Sequence, residues 1–419
     1  MSATAYGPPT ADTPARLDPE PPDPALRPDP REGLPADDPS LAVCPPGTFE
    51  IQATAGPARA ARLWTAHGPV DTPCFMPVGT YGAVKGLTPA ELCAVGSQVI
   101  LGNAYHLTHR PGAALVQTLG GLHRFMAWPR AILTDSGGYQ VFSLRGLQTI
   151  DDDGVGYRTH FDGSAHRMTP RSVLSGQAQL GSDICMVLDH CPPGQADVAT
   201  MRDAVDRTTR WAHEAARLRP EILAPSQLCF GIVQGGTDLA LRRAHLSQMQ
   251  ALPFDGLALG GLSVGEPVPA MHATMAAVAP QMPEARPRYV MGIGTPFDLL
   301  AAVRAGVDMF DCVMPTRHAR NGQLFTWHGR INIRWARFAD DPRAIDPTCG
   351  CLTCQRFSRA YLRHLERQGD ALYARLATLH NLYFFHQWVA VLRRALVAGA
   401  FAGAVDELSS VITRYYLPR

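Results

Sequence analysis

Lysine is almost missing from this chain. Of 38 basic residues, 37 are Arg and only Lys85 is Lys, a bias that fits a GC-rich coding sequence. No run of eighteen apolar residues occurs, which excludes a membrane-spanning helix. The N-terminus lacks a basic start followed by an apolar stretch, so no secretory signal is expected. No Gly-x-Gly-x-x-Gly phosphate loop follows the first apolar run, which argues against an open, doubly wound dinucleotide-binding sheet. The ten cysteines do not form a disulfide framework. Cys44, Cys74, Cys93, Cys185, Cys191, Cys229 and Cys312 are scattered, several inside apolar runs, as buried free thiols of a reducing cytoplasm would be.

Charge is unevenly placed behind the formal net charge of +1. Residues 1–45 carry net −5, and residues 311–419 carry net +7. A basic C-terminal quarter suits a polyanionic partner, most simply a nucleic acid. A solvated Arg-rich helical surface is the plainer reading of charge alone.

Residues 1–46 are rich in Pro, Asp and Ala and poor in aromatics. Such a segment cannot bury enough apolar surface to offset its ordering entropy, so a disordered tail is expected. Residues 48–70 alternate around Ala55-Gly56-Pro57 and predict a β-hairpin. Then come eight short apolar runs, at 74–78, 98–101, 131–134, 184–188, 229–233, 257–259, 289–291 and 307–310. Most are separated by stretches of helical spacing, such as 201–218 and 238–249. Continuous apolar runs alternating with helices predict a parallel sheet buried on both faces. Eight such units fit a (β/α)8 TIM barrel. The expected domains are the tail (1–46), the α/β catalytic barrel (47–320), and a zinc-binding helical subdomain packed on it (321–419). Helices of that subdomain are predicted over about 355–378, 380–399 and 402–415.

The subdomain opens with Cys349-Gly-Cys351-Leu-Thr-Cys354, and His380 follows 26 residues after the last Cys. Three thiolates and one imidazole make a closed tetrahedral Zn2+ site with no position left for water, so one structural zinc is expected. The chemistry then lies elsewhere.

In a (β/α)8 barrel the active site sits at the C-terminal ends of the strands. The residues after the apolar runs include Asp135-Ser-Gly-Gly-Tyr139-Gln, Asp189-His-Cys191, Gln234-Gly-Gly, Gly260-Gly261-Leu262-Ser263 and Asp311-Cys312. One Asp after a strand is commonly a helix cap. Three converging with an amide and paired glycines suit chemistry at an anomeric carbon. One carboxylate attacks, one moves a proton, and the rest read a base edge. Tyr139 is placed to stack on a ring.

These residues resemble the tRNA-guanine transglycosylase family, in its bacterial form, from about residue 48 to the C-terminus. The motifs are Thr-Asp-Ser-Gly-Gly-Tyr-Gln (134–140), Ile-Val-Gln-Gly-Gly (232–236), Gly-Gly-Leu-Ser-Val-Gly-Glu (260–266), Met-Phe-Asp-Cys (309–312) and the Cys-x-Cys-x-x-Cys cluster with its distant His. The resemblance implies a pentosyltransferase of queuosine biosynthesis. Guanine at the wobble position of tRNAs with a GUN anticodon is exchanged for 7-aminomethyl-7-deazaguanine. By position, Asp311 is the nucleophile at C1′ and Asp135 the general acid/base. Asp189, Gln234 and the Gly261 backbone bind the base, and Tyr139 and Met291 sandwich it. The peptide between Leu262 and Ser263 presents a donor or an acceptor, with Glu266 supporting one state. Arg317, Arg320 and Lys85 contact the RNA. A cytoplasmic homodimer is implied, with no ATP and no redox cofactor.

Val264 and Cys191 match the bacterial members rather than those that insert queuine. His190 departs from the Glu usual after the base-reading Asp, and the loop from Cys191 to Ala196 also differs. The alternatives are a relative inserting queuine or 7-cyano-7-deazaguanine, or a non-catalytic RNA-binding partner subunit, which would have lost the acidic pair. A zinc-dependent barrel hydrolase would need an open metal position.

Overall fold

The computed structural model describes residues 44–143 and 148–416. The tail expected over 1–46 lies, up to residue 43, outside them. The chain opens on three antiparallel strands, β1 (Phe49–Ala55), β2 (Ala58–Thr65) and β3 (Gly68–Thr72). The single hairpin expected over 48–70 is therefore extended by a second turn. Gly68 there has φ +102°, and the Thr65 hydroxyl donates to its carbonyl.

Eight parallel strands then close a barrel: β4 (Cys74–Gly79), β5 (Val99–Gly102), β6 (Ala131–Thr134), β10 (Ile184–Met186), β11 (Leu228–Val233), β12 (Gly256–Leu259), β13 (Arg288–Val290) and β14 (Met309–Cys312). Closure comes from β14 pairing with β4, Asp311 opposite Met76. All eight expected runs are barrel strands. Their residues are almost all buried, as a sheet covered on both faces requires. Between β6 and β10 the chain inserts a small antiparallel sheet, β7 (Gln148–Ile150), β8 (Val155–Arg158) and β9 (Ala165–Met168).

Helices start where the sequence supplies caps. Asp197 caps Val198–Ile222, Asp238 caps Leu239–Gln250, and Thr295 with Asp298 forms a capping box at Pro296–Arg304. These Asp residues are caps in fact; Asp135, Asp189 and Asp311 are not.

The N-terminal sheet is tied to the barrel floor. Arg59 makes a fork to Asp308, which precedes β14, at 3.0 and 2.6 Å. His67 bonds Asp183, which precedes β10, at 2.8 Å. The floor is thus fixed by a buried ion pair and a hydrogen bond, and the C-terminal rim is left for function.

After β14 come the strands β15 (Gln323–Thr326) and β16 (Gly329–Asn332) and the helices Leu352–Arg356, Arg359–Gln368, Ala371–Val397 and Phe401–Tyr415. The break expected near 379 is instead at Gly369, a left-handed C-cap, followed by Asp370 as N-cap. His380 therefore sits inside a 27-residue helix. That helix packs on β4 and the N-terminal strands, with the Phe385 ring 5.3 Å from Phe75. Leu382, Phe385 and Trp388 belong to the same hydrophobic core as the barrel strands. No helix among the described residues is long and apolar enough to cross a membrane.

Candidate active site and metal centre

Asp135 leaves the end of β6 into a cradle of donors. Its Oδ2 accepts from Asn103 Nδ2 at 2.6 Å. Its Oδ1 accepts from the backbone N–H of Ala104 at 3.0 Å and of Gly137 at 3.2 Å. Gly137 has φ +77°, and a Cβ there would collide with Tyr105, so only glycine closes this turn. Despite the donors, burial pushes the Asp135 carboxyl up to about 7, and the nearby charge of Asp311 adds to the rise.

Asp311 is inside β14 rather than after it. Its Oδ1 accepts from the Tyr289 hydroxyl at 2.5 Å and from Gly292 N–H at 2.9 Å. No hydrogen bond to its Oδ2 occurs among the described residues. Burial raises the Asp311 carboxyl, while the Tyr289 and Gly292 donors oppose the rise. Tyr289 was not singled out in the sequence, because it lies inside an apolar strand run and reads as core. We expect Tyr289→Phe to move the acid limb of the kcat/KM profile to higher pH. Removing a donor to the ionised form raises the carboxyl further, so ionisation of Asp311 is completed later. A pH titration of both proteins checks this; an unmoved limb would contradict it.

Asp189 and Gln234 form one unit. Gln234 Nε2 donates to Asp189 Oδ2 at 2.6 Å, and Ser136 Oγ lies 3.4 Å from Oδ1. Burial lifts the Asp189 carboxyl to about 6. The Gln234 amide oxygen is buried with no hydrogen-bond partner among the described residues, so it is an acceptor with its capacity unused. Gly261 makes room for it: a Cβ there would stand 2.3 Å from that oxygen, and φ is +63°.

The remaining expected residues are placed as follows. Tyr139 is 55% exposed and lines a hollow of about 440 Å3 with Cys191 and Val264. Met291 is half-buried and follows β13. Leu262 is buried, and Ser263 and Glu266 are joined by a hydrogen bond from the Ser263 N–H to the Glu266 carboxylate. Arg317 is exposed and Arg320 half-buried on the helix Met314–Arg320, directly after β14. Lys85 is exposed in the loop after β4. His190 lines the same hollow as Tyr139. Its Nδ1 faces Arg207 Nη1 at 3.1 Å and therefore accepts, leaving the proton on Nε2. Burial and the Arg207 charge hold this imidazole down to about 4, so it is neutral where a Glu would be an anion.

The raised Asp135 carboxyl predicts a stability effect. The unfolded chain releases this proton near 4 and the folded chain near 7, so the folded state binds more protons between those values. Stability attributable to this group therefore falls as pH rises from 4 to 7. Asp135→Asn removes that loss. The Tm gain of Asp135→Asn over the parent should be larger at pH 8 than at pH 4.5, and thermal melts at the two values check it.

The metal centre lies about His380. Its Nε2 is 2.8 Å from the Phe325 carbonyl and donates to it. The other nitrogen, Nδ1, is thereby left free as a ligand. It faces Cys349, Cys351 and Cys354 Sγ at 3.7, 3.5 and 3.3 Å. The imidazole is fully buried. The four ligand atoms form a cluster able to hold one metal ion.

A profile described as Queuine tRNA-ribosyltransferase matches residues 54–413. Relatives that bear the same name align over most of their length. One from Sorangium cellulosum (strain So ce56) is 52% identical over 363 residues, 86% of this chain and 91% of the relative. One from Solidesulfovibrio magneticus is 52% identical over 366 residues, 87% of this chain and 98% of the relative. One from Syntrophobacter fumaroxidans is 54% identical over 344 residues, 82% and 91% of the two chains. The chain is a transferase that belongs to the queuine tRNA-ribosyltransferase family.

Proposed function

We propose that the chain exchanges guanine at the wobble position of GUN-anticodon tRNAs for 7-aminomethyl-7-deazaguanine, in queuosine biosynthesis. The observation that carries the reading is a pair of half-buried carboxylates at the C-terminal ends of β6 and β14 with different partners, Asp135 held by Asn103, Ala104 and Gly137 and Asp311 held by Tyr289 and Gly292. The wobble nucleotide leaves its stack to reach them. Asp311 Oδ2 attacks C1′ and the C1′–N9 bond breaks. Asp135, protonated up to about neutral pH, gives its proton to the departing guanine. The ribosyl–aspartate ester holds the tRNA while bases exchange. The incoming base then attacks C1′, its proton passes to Asp135, and the Asp311 carboxylate is released. One N-glycosidic bond replaces another, so the net free energy change is small and the base exchange is ping-pong.

In this reading Asp189 and the free Gln234 oxygen bind the purine edge, with the Gly261 backbone beside them. Tyr139 and Met291 flank the ring. Arg317, Arg320 and Lys85 meet the RNA backbone, in a C-terminal region of net +7. The metal is one structural Zn2+. A tetrahedral zinc with Zn–S of ~2.3 Å and Zn–N of ~2.05 Å has N···S edges of about 3.6 Å, against 3.3 to 3.7 Å here. The enzyme acts in the cytoplasm as a homodimer. Incubation with unmodified tRNA and each candidate base, followed by nucleoside mass analysis, tests the assignment. Incorporation of 7-aminomethyl-7-deazaguanine is expected; incorporation of queuine or 7-cyano-7-deazaguanine alone would move the reading to that base.

A further inference from the structure

The loop after Asp189 rests on the turn that carries Ser263 and Glu266. Gly194 N–H donates to the Val264 carbonyl at 3.2 Å. Gln195 Nε2 donates to the Gly265 carbonyl at 3.2 Å. The bare Cα of Gly194 also faces Glu266. A Cβ there would stand 2.9 Å from Glu266 Oε2 and 3.1 Å from its backbone N. The φ of Gly194 is outside the left-handed range, so its backbone does not require glycine. The space does.

The clamped turn is strained and tightly held. Ser263 has φ +60°, unusual for a residue with a side chain. Both Glu266 carboxylate oxygens are committed, one to Ser263 N–H and the other to Val264 N–H at 3.0 Å. The carboxylate position therefore sets the direction of two successive peptides. Across a planar trans peptide, the Leu262 carbonyl points opposite to the Ser263 N–H, away from Glu266.

We propose that Gly194 and Gln195 are positioning residues for base selection, which hold Glu266 so that the Leu262 carbonyl stays turned to the base recess. There it accepts from a 7-substituent that ends in a protonated amine. Neither Gly194 nor Gln195 touches the base. The inference rests on the base-exchange reading above.

The test is steady-state exchange on unmodified tRNA with two bases: guanine, which has no 7-substituent, and 7-aminomethyl-7-deazaguanine. In Gly194→Ala the new methyl comes closest to the flexible carboxylate end of Glu266, so that end gives way first and its bond to Val264 N–H is lost, and a thermal melt beside the kinetics checks that the fold is kept. Gly194→Ala should raise KM for the aminomethyl base about tenfold, with its kcat and both guanine constants within about twofold of the parent. Gln195→Ala should act in the same direction, about threefold. In a Glu266→Ala background Gly194→Ala should add nothing, because no carboxylate remains to displace. Equal changes for both bases, no change for either, or a persisting effect in the Glu266→Ala background would overturn the inference. A parent enzyme that exchanges guanine but refuses the aminomethyl base overturns it alone. A parent that exchanges neither base removes the base-exchange reading itself.

Discussion

Asp311→Asn will keep its fold and its metal and lose exchange of labelled guanine into tRNA by at least about 10³-fold. The amide preserves the volume of the side chain and can still accept at one oxygen from Tyr289 and Gly292. It lacks the second anionic oxygen that, in the proposed exchange, forms the ester with C1′. The loss is therefore expected in kcat, while binding of tRNA stays within a few fold. A variant that is inactive because it is unfolded would show an altered melt and a lower bound-metal content, so both are measured beside the rate. Retained exchange in a folded variant would remove Asp311 from the nucleophile role.

Substitution of Cys351 by Ser should have the largest effect on stability. Cys351 is buried against His380, inside the helix that packs on β4. Structural zinc contributes about 10–16 kcal/mol in small peptides at neutral pH, so a loss on the order of 5 kcal/mol is expected here, where the barrel core supplies the rest. That corresponds to a Tm lower by roughly 6 °C for a chain of this length. Strong chelation should act in the same way. Activity should fall only as the protein loses structure, since three thiolates and one imidazole would fill all four positions of a tetrahedral ion. Rapid, reversible inhibition by chelator with an unchanged melt would contradict a structural role and favour a metal that takes part in chemistry.

The barrel was legible because its strands are covered on both faces, which writes each as an unbroken apolar run. Asp135, Asp189 and Gln234 were legible for the complementary reason: polar residues directly after such runs fall on the C-terminal rim. Asp311 was found by the same rule although it lies within β14, since its side chain still reaches the rim. The insertion β7–β9 escaped notice. Its strands are three or four residues long, and its signals are the turns at Asp153-Gly154 and Asp162-Gly163. The helix break at Gly369-Asp370 was missed because His380 drew the boundary toward itself; the Gly–Asp pair, a C-cap followed by an N-cap, was the better mark. Tyr289 and Gly194 carry no sequence mark. One is a strand residue whose hydroxyl alone reaches the site, and the other is required by the room its neighbour needs.

His190 shows how a departure in sequence acquires physical meaning from its neighbours. Arg207 fixes its tautomer and helps to keep it neutral, so one wall of the hollow beside Cys191 and Val264 has an N–H donor and no negative charge.

The proposed covalent step is open to direct observation. The parent protein, incubated with unmodified tRNA and no added base, then quenched in denaturant and digested with protease and nuclease, should yield one peptide heavier by a ribose-linked nucleotide fragment. Fragmentation should place the added mass on Asp311, and Asp311→Asn should yield none. An adduct on Asp135, or exchange that proceeds with no adduct on any carboxylate, would contradict the account.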